Sequence, residues 1–501
     1  MSSEKVDVVD GPDYPDTILP VVETTQLAEV EEKKLIRKID VRLVPVLSLL
    51  WVISSVSQQS LSNASILGIK ESLNISGTQY NLIVTAFYIS YSVFEIPSQI
   101  ILSFVRPSLW LGGLTVAWGV ITALSGLAQS FGGAFAARFC LGIAEVNFRS
   151  PESFLKHVQG AFFPAALYLV ALWYPRDKVQ KRVGAFYATG TLAGSFSGLL
   201  AYAVTYMNGK AGLASWRWLF ILVGCVTFAL AAIILLFLPD SPERAKWLSP
   251  EEKQHLIAIR ATAGAGKDEV EGWKIKYFMQ AVSDVKVWLS VWISVCINVS
   301  SIGFVFTLPT VLVQFGYTAA NAQLMSVPIY AVATLCVALS AYYGDKTKQR
   351  FPGCFCGLMI GLIGLVALYC LPKERLPGVR YFFCMWVLGG LFGAFPSTLS
   401  WCSNNAAGRG KKNMAVTLQI AIGNLTIAAG SNSYVASDAP RYRVGFGLGI
   451  ALCSSAVLVS VLLAYILRRE NLRKAQIDVS SYTAEELEEM GDRSPTFKYI
   501  I

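Results

Sequence analysis

The sequence predicts an all-α polytopic membrane protein of twelve transmembrane helices in two six-helix lobes, with the fourth helix interrupted by a polar insert. Three observations predict it. The chain of 501 residues is 54% apolar and only 15% charged, where a soluble protein carries roughly 25% charged residues. Apolar runs of about 20 residues recur along most of its length, each long enough to cross about 30 Å of hydrocarbon. A single long polar stretch, 239–285, divides those runs six and six. So many runs beyond ordinary helix length speak against a large soluble protein with buried helices.

In chain order, residues 1–42 form an N-terminal tail expected in the cytosol. Its first 32 residues are acidic and aperiodic, which predicts disorder. The basic stretch Lys33–Leu43 suits an amphipathic segment lying on anionic lipid. No cleavable signal peptide is expected, so the first span acts as its own insertion signal. The first lobe is assigned to 43–238, with spans at 43–62, 80–103, 109–129, 131–145 joined to 160–174, 183–206 and 216–238. The stretch 239–285 reads as a flexible cytosolic linker with a helical piece at Ser249–Arg260. Its small-residue run Thr262–Lys267 lacks the spacing and the preceding strand of a phosphate loop. The second lobe is assigned to 286–466, with spans at 286–308, 322–343, 352–371, 378–402, 413–432 and 444–466. Residues 467–501 form a cytosolic C-terminal tail, acidic and expected to be disordered from 475.

Basic residues set the orientation. Lys33, Lys34, Arg37, Lys38 and Arg42 precede the first span, Arg176, Lys178, Lys181 and Arg182 follow the fourth, and Arg409, Lys411 and Lys412 follow the tenth. All fall on one side, which the positive-inside rule makes cytosolic together with both termini. Lys373, Arg375, Arg380, Arg441 and Arg443 break the pattern on the other side. The net charge of +9 is thereby a topology signal and gives no reason to expect nucleic acid. Two acceptor sequons, at Asn63 and Asn74, face the outside. Asn63 lies too close to the membrane to be used, so Asn74 is the candidate glycosylation site.

The fourth span carries the main puzzle. Arg138 and Glu145 are seven residues apart, two helical turns, and share a face. A charge inside a membrane helix costs at least a few kcal/mol and normally faces a partner or a watery path. Glu145 is the candidate proton carrier, because desolvation raises a buried carboxyl toward neutrality. An ion pair with Arg138 would oppose that shift. Directly after Glu145 comes the polar run Val146–Gln159, which no bilayer accepts as part of a span. Without it, Glu145 runs into Gly160 and the span is continuous.

Other polar residues sit inside spans. Gln58, Gln59 and Asn63 close the first span, where amides either join helices or bind solute, since an amide both donates and accepts. Gln419 and Asn424 lie mid-span in the eleventh and are candidate cavity residues. Trp401, Asn404 and Asn405 end the tenth span, and the two asparagines suit a helix cap. Glu95 near the inner end of the second span suits an ion pair that closes the lobes. Gly190, Gly194 and Gly198 put a small-residue face on the fifth, read as helix packing. The ten cysteines are scattered without metal-ligand spacing, and no nucleophile–base pair is present, so neither a metal, a cofactor nor an enzyme is expected.

Several stretches together carry a resemblance: KLIRKIDVRLVPVL (Lys34–Leu47), QYNLIVTAFYISYSVFEIPSQ (Gln79–Gln99), RFCLGIAE, WRWLF (Trp216–Phe220), LPDSPERAKWLSPEE (Leu238–Glu252), WCSNNAAGRGKK (Trp401–Lys412), LQIAIGN (Leu418–Asn424) and DAPRYRVGFG (Asp438–Gly447). With these the chain resembles the major facilitator superfamily, and within it the fungal allantoate permease family of anion:cation symporters. The resemblance implies twelve helices, a plasma-membrane location and proton-coupled uptake of small organic anions, vitamins or ureides. Two departures stand out. The family carries an Asp-Arg-Ser-Asn-like run at the end of the first span, where this chain has Ser57, Gln58, Gln59 and Ser60. The family also runs straight from the equivalent of Glu145 to Gly160. The fourteen-residue insert is a whole number of codons, and valine and glutamine codons allow the GT and AG ends of an intron. An unspliced intron and a genuine insertion are the two readings.

The expected function is secondary active transport: proton-coupled symport of a small organic anion by alternating access. Glu145 carries the proton, Arg138 and Gln58 contact or orient the solute, and Gln419 and Asn424 line the opposite lobe. The partners are solute, protons and the bilayer, with the chain a monomer. The alternatives are an exporter of a biosynthetic metabolite, suggested by the lost first-span charge, and a non-transporting sensor or defective chain, suggested by the insert.

Overall fold

A computed structural model describes residues 26–102, 107–144, 173–174, 176–237, 245, 247–262, 275–371, 376–407, 409–434, 438–439, 441–479, 482–483, 487 and 490–501. Long apolar helices dominate it. Before the linker come α1 (Gln26–Ile66), α2 (Gly77–Leu102), α3 (Pro107–Ser125), α4 (Phe131–Ala144), α5 (Arg176–Thr205) and α6 (Ser215–Phe237). The linker contributes α7 (Pro250–Thr262) and α8 (Ile275–Val282). After it come α9 (Val285–Gln314), α10 (Ala319–Thr347), α11 (Phe351–Cys370), α12 (Pro377–Asn404), α13 (Arg409–Asn432) and α14 (Arg443–Lys474). Among the described residues, eight helices are long and apolar enough to cross a membrane, and two apolar helices are shorter, Gly112–Ser125 and Phe131–Ala144. Glu145, the insert 146–159 and the rest of the expected fourth span up to 172 lie outside the described residues.

Local chemistry sets the helix ends. Asp284 caps α9 by accepting from Lys286 N at 3.0 Å, and Thr318 caps α10 through Asn321 N. Each satisfies an amide that the first helical turn leaves without a partner. Pro352 and Pro377 sit in the first turns of α11 and α12, where a missing N–H does no harm. Arg473 and Lys474 close α14, complementing the negative end of its dipole.

Packing sorts the helices into two groups. In the first, α1 lies on α5 and α6, α3 on α4 and α6, and α2 on α4. In the second, α9 is central to α12, α13 and α14, while α12 also packs on α10 and α11. The α11–α12 pair is close because a Cβ on Gly390 would meet the Gly357 carbonyl at 2.6 Å, so only glycine allows that backbone approach. Three seams join the groups: α5 with α10, α2 with α13, and α1 with α9.

The basic stretch before the first span departs from expectation. It lies within α1, about two turns past its start, and Leu35, Ile36, Ile39 and Leu43 are buried with Trp173, Tyr174, Leu248 and Leu256. Lys38 pairs with Glu252 at 2.7 Å, so this segment lies on α7 as well as on whatever lipid it meets. The Ser249–Arg260 piece is α7, started by a reciprocal cap in which Glu252 N donates to Ser249 Oγ and Ser249 N to Glu252 Oε2. The start of α1 and the linker therefore share one face of the molecule, the linker face.

The C-terminal tail is a second correction. Residues 490–501, expected to be disordered, are seated on the linker face of the second group. Asn405 holds Ile500 through both amide atoms, donating to its carbonyl at 2.9 Å and accepting from its N–H at 2.8 Å. Asn471 holds Tyr499 in the same way, with both bonds at 2.8 Å. The Trp401 indole also donates to the Ile500 carbonyl. Lys411 Nζ lies 2.6 Å from Asp284 and 2.8 Å from Asp492, and Lys286 Nζ lies 3.2 Å from Asp492. Burial pushes the Asp492 carboxyl up, but Lys411 and Lys286 outweigh it and hold it below its ordinary value of 3.8.

Candidate functional site

A cavity of about 150 Å³ lies where the two groups meet. From the first group, α1 contributes Trp51, Ser55, Gln58 and Gln59, α2 contributes Tyr88, and α5 contributes Gly190 and Thr191. Positions 51, 55, 58 and 59 follow helical spacing, so one face of α1 forms a wall. From the second group come Ile302, Val305 and Phe306 of α9, Tyr330 of α10 and Phe392 of α12. Five aromatic rings therefore surround four neutral polar side chains, and none of the described lining residues carries a charge. Rings supply flat apolar faces, while amides and hydroxyls both donate and accept. Such a lining offers both apolar faces and hydrogen-bonding groups to a small solute. An engineered apolar cavity of similar volume holds benzene, so the space suits one six-membered ring.

The seams close the cavity on the half away from the linker face. Ser62 Oγ donates to the Phe306 carbonyl at 2.8 Å, and Gln323 Nε2 donates to the Asn63 carbonyl at 3.3 Å. Ser195 Oγ donates to the Val327 carbonyl at 3.0 Å, and Asn432 Nδ2 to Thr85 Oγ1 at 2.6 Å. Tyr88 meets Phe306 edge to face at 6.1 Å. All these contacts are neutral.

The sequence candidates are distributed unevenly around this site. Gln58 lines it, as does its neighbour Gln59. Arg138 is buried in α4 with its guanidinium carbon 5.2 Å from the centre of the Phe220 ring, off the cavity wall. Its expected partner Glu145 lies outside the described residues. Gln419 is 1% exposed and donates to Ser294 Oγ at 2.6 Å, which ties α13 to α9 away from the cavity. Asn424 is half-buried on α13 and does not line the cavity either. Asn63 donates to Ser197 Oγ at 2.7 Å and is buried, so its sequon is closed in this conformation. Asn74 is exposed with a left-handed backbone in the turn before α2. The Glu95 side chain lies outside the described residues.

Sequence reading missed Trp51, Ser55, Thr191, Phe306, Tyr330 and Phe392. Trp51 and Ser55 had a signal in their helical register with Gln58. Tyr330 had none, because it is placed by a neighbour more than a hundred residues earlier in the chain.

The chain matches the Major Facilitator Superfamily over residues 47–431. It is 31% identical to the MFS-type transporter cnsO of Penicillium expansum, over 100% of this chain and 99% of that one. It is 26% identical to the high-affinity nicotinic acid transporter of Saccharomyces cerevisiae, over 94% of this chain and 85% of that one. Among solved structures, a bacterial homolog of the human lysosomal transporter Spinster, in an inward-facing and unoccupied conformation, superposes with a TM-score of 0.62 at 15% identity, over 84% of this chain and 95% of that one. The proton:xylose symporter XylE superposes at 0.59 with 18% identity, over the same 84% and 95%.

Proposed function

The chain belongs to the Major Facilitator Superfamily, a multi-pass membrane transporter and not an enzyme, and from that premise we propose that it carries a small planar organic carboxylate together with a proton. The observation that carries this reading is the cavity between the groups, walled by aromatic rings and neutral hydrogen-bonding side chains. A carboxylate entering a site without fixed charge needs a countercharge, and a proton supplies it. Gln58, Gln59, Ser55 and Thr191 hold the polar edge, and the rings of Trp51, Tyr88, Phe306, Tyr330 and Phe392 pack against the flat faces. Glu145 carries the proton, and Arg138, two turns earlier on the same helix face, tunes its affinity. Gln419 is assigned to holding α13 on α9. Asn424 is assigned to solute contact once α13 has moved off α2. The nicotinic acid transporter among the relatives favours a one-ring acid, as does the cavity volume, and the stretches shared with the allantoate permease family favour that branch.

Alternating access follows from the placement of the seams. The contacts described close the far half, so we read the linker face as the side that opens, and the basic residues flanking the spans favour the cytosol for it. The plasma membrane is the proposed location and the monomer the working unit. The uncharged cavity also suits an exporter of a neutral metabolite, a reading that the direction of flux separates.

Uptake of labelled nicotinate, pantothenate, biotin and allantoate is to be measured in cells at acidic and neutral external pH, for the chain with and without Val146–Gln159. Acid-stimulated nicotinate uptake is expected in the shortened chain, and uptake only there marks the insert as intronic. Gln58→Ala is expected to lower uptake by about tenfold, the effect of about 1.4 kcal/mol of lost hydrogen bonding. Surface-expressed protein that takes up none of the four solutes at either pH would refute the carboxylate reading.

A further inference from the structure

The glycine face of α5 carries notches of two kinds. Gly190 and Gly194 lie one turn apart on α5. A Cβ on Gly190 would collide with the Trp51 ring, with 2.6 Å left to its Cδ1, and Trp51 belongs to the first group. A Cβ on Gly194 would collide with the ring of Tyr330, which belongs to the second group. One turn further on, a Cβ on Gly198 would come within 2.8 Å of the Gln323 carbonyl, also of the second group. Trp51 and Tyr330 both line the cavity, but only Tyr330 reaches across the seam. Tyr330 is 5% exposed and so fills its notch. The far half cannot open while α10 lies on α5, and α10 cannot leave without drawing the Tyr330 ring out of the Gly194 notch.

We propose that Tyr330, seated in the Gly194 notch, is the positioning residue that holds the far side shut and links the cavity wall to the gate. The proposal rests on the alternating-access reading. A solute in the cavity leans on one side of the ring, while the opposite side is set in the helix that must separate. The ring is therefore where occupancy of the site meets the closure of the seam. Interiors pack at crystal-like density, so such a ring has discrete seats and no continuous slide.

The test reads closure at a different seam. Thr85→Cys and Asn432→Cys replace a hydrogen-bonded pair on the α2–α13 seam, and their cross-linking yield reports the far-closed fraction in purified full-length protein. Gly194→Ala is expected to shift the closed-to-open ratio by about tenfold toward open, as an overpacked contact does. Tyr330→Ala is expected to lower the yield as well, because the notch is left empty. In the Tyr330→Ala background, Gly194→Ala is expected to add nothing, since its methyl then meets no ring. Where the parent cross-links less than fully, a Tyr330→Ala yield equal to the parent's overturns the proposal whatever Gly194→Ala does. So does a Gly194→Ala effect of the same size with and without Tyr330. If the parent and every variant cross-link fully at one rate, the far side never opens, and the failure lies in the alternating-access reading.

Discussion

The far seam and the linker-face cluster hold helices together by opposite means. The far seam joins two groups through neutral hydrogen bonds, Ser62 to Phe306, Gln323 to Asn63, Ser195 to Val327 and Asn432 to Thr85. The linker-face cluster ties helices of one group through charges, with Lys411 between Asp284 and Asp492, and Lys286 beside them. A neutral hydrogen bond contributes about 1 kcal/mol net and is readily exchanged for another. A buried ion pair with one partner removed leaves a stranded charge worth about 3–5 kcal/mol. The contrast teaches which contacts the molecule is built to break: the weak ones lie between the groups, the strong ones within a group.

Lys411→Ala should give the largest effect, since it leaves two carboxylates, Asp284 and Asp492, to share Lys286 alone, at 3.5 and 3.2 Å, in a site where Lys411 is 9% exposed. A loss of about 3–5 kcal/mol is expected, read as a fall in thermal unfolding temperature in detergent. An unchanged midpoint would erase the proposed contrast. Next comes Asn405→Ala, which removes both bonds to Ile500 and should loosen the tail by about 1–3 kcal/mol, seen as faster proteolysis of residues 490–501 with the rest intact. Gln323→Ala should weaken the far seam by about 1 kcal/mol and raise labelling of a cysteine placed at Asn63, with little change in thermal midpoint. If the midpoint fell as far as for Lys411→Ala, the seam would belong with the structural contacts. Glu252→Gln should matter least. Its pair with Lys38 is about one-third exposed on both sides, where such pairs contribute about 0–1 kcal/mol.

Acidity sharpens the same comparison. The folded Asp492 carboxyl is held below its ordinary 3.8. Its contribution is therefore fully present above that value and lost as pH falls through the lowered one. Tail cleavage by an acid protease should stay flat down to pH 3.8 and climb below it. The far seam, having no titrating partner among the contacts described, should give the same Thr85→Cys/Asn432→Cys cross-linking on both sides of that point.

Helix positions were legible in the sequence because apolar length is a local property. The expected span 286–308 became α9 at Val285–Gln314, and 352–371 became α11 at Phe351–Cys370. The capping box at Ser249 was local too, and α7 starts there. The site was half legible: Gln58 stood out as an amide in an apolar run, and it lines the cavity. What failed was everything set by a distant partner. Asp492 looked like one acid in a disordered tail because its lysines lie 81 and 206 residues away. Gln419 looked like a cavity residue because nothing in its own helix points to Ser294. Tyr330 was not singled out at all, because its seat is a glycine on α5.

The neutrality of the far seam has an electrical consequence. Moving one elementary charge through the full membrane potential is worth about 2.3 kcal/mol per 100 mV. The side chains that part when Gln323 leaves Asn63 and Tyr330 leaves Gly194 carry no charge, so their separation does no work against the field. A step in voltage should leave the opening of that side unhurried and unhindered. Any current or voltage dependence of the cycle then belongs to the proton and the solute it accompanies.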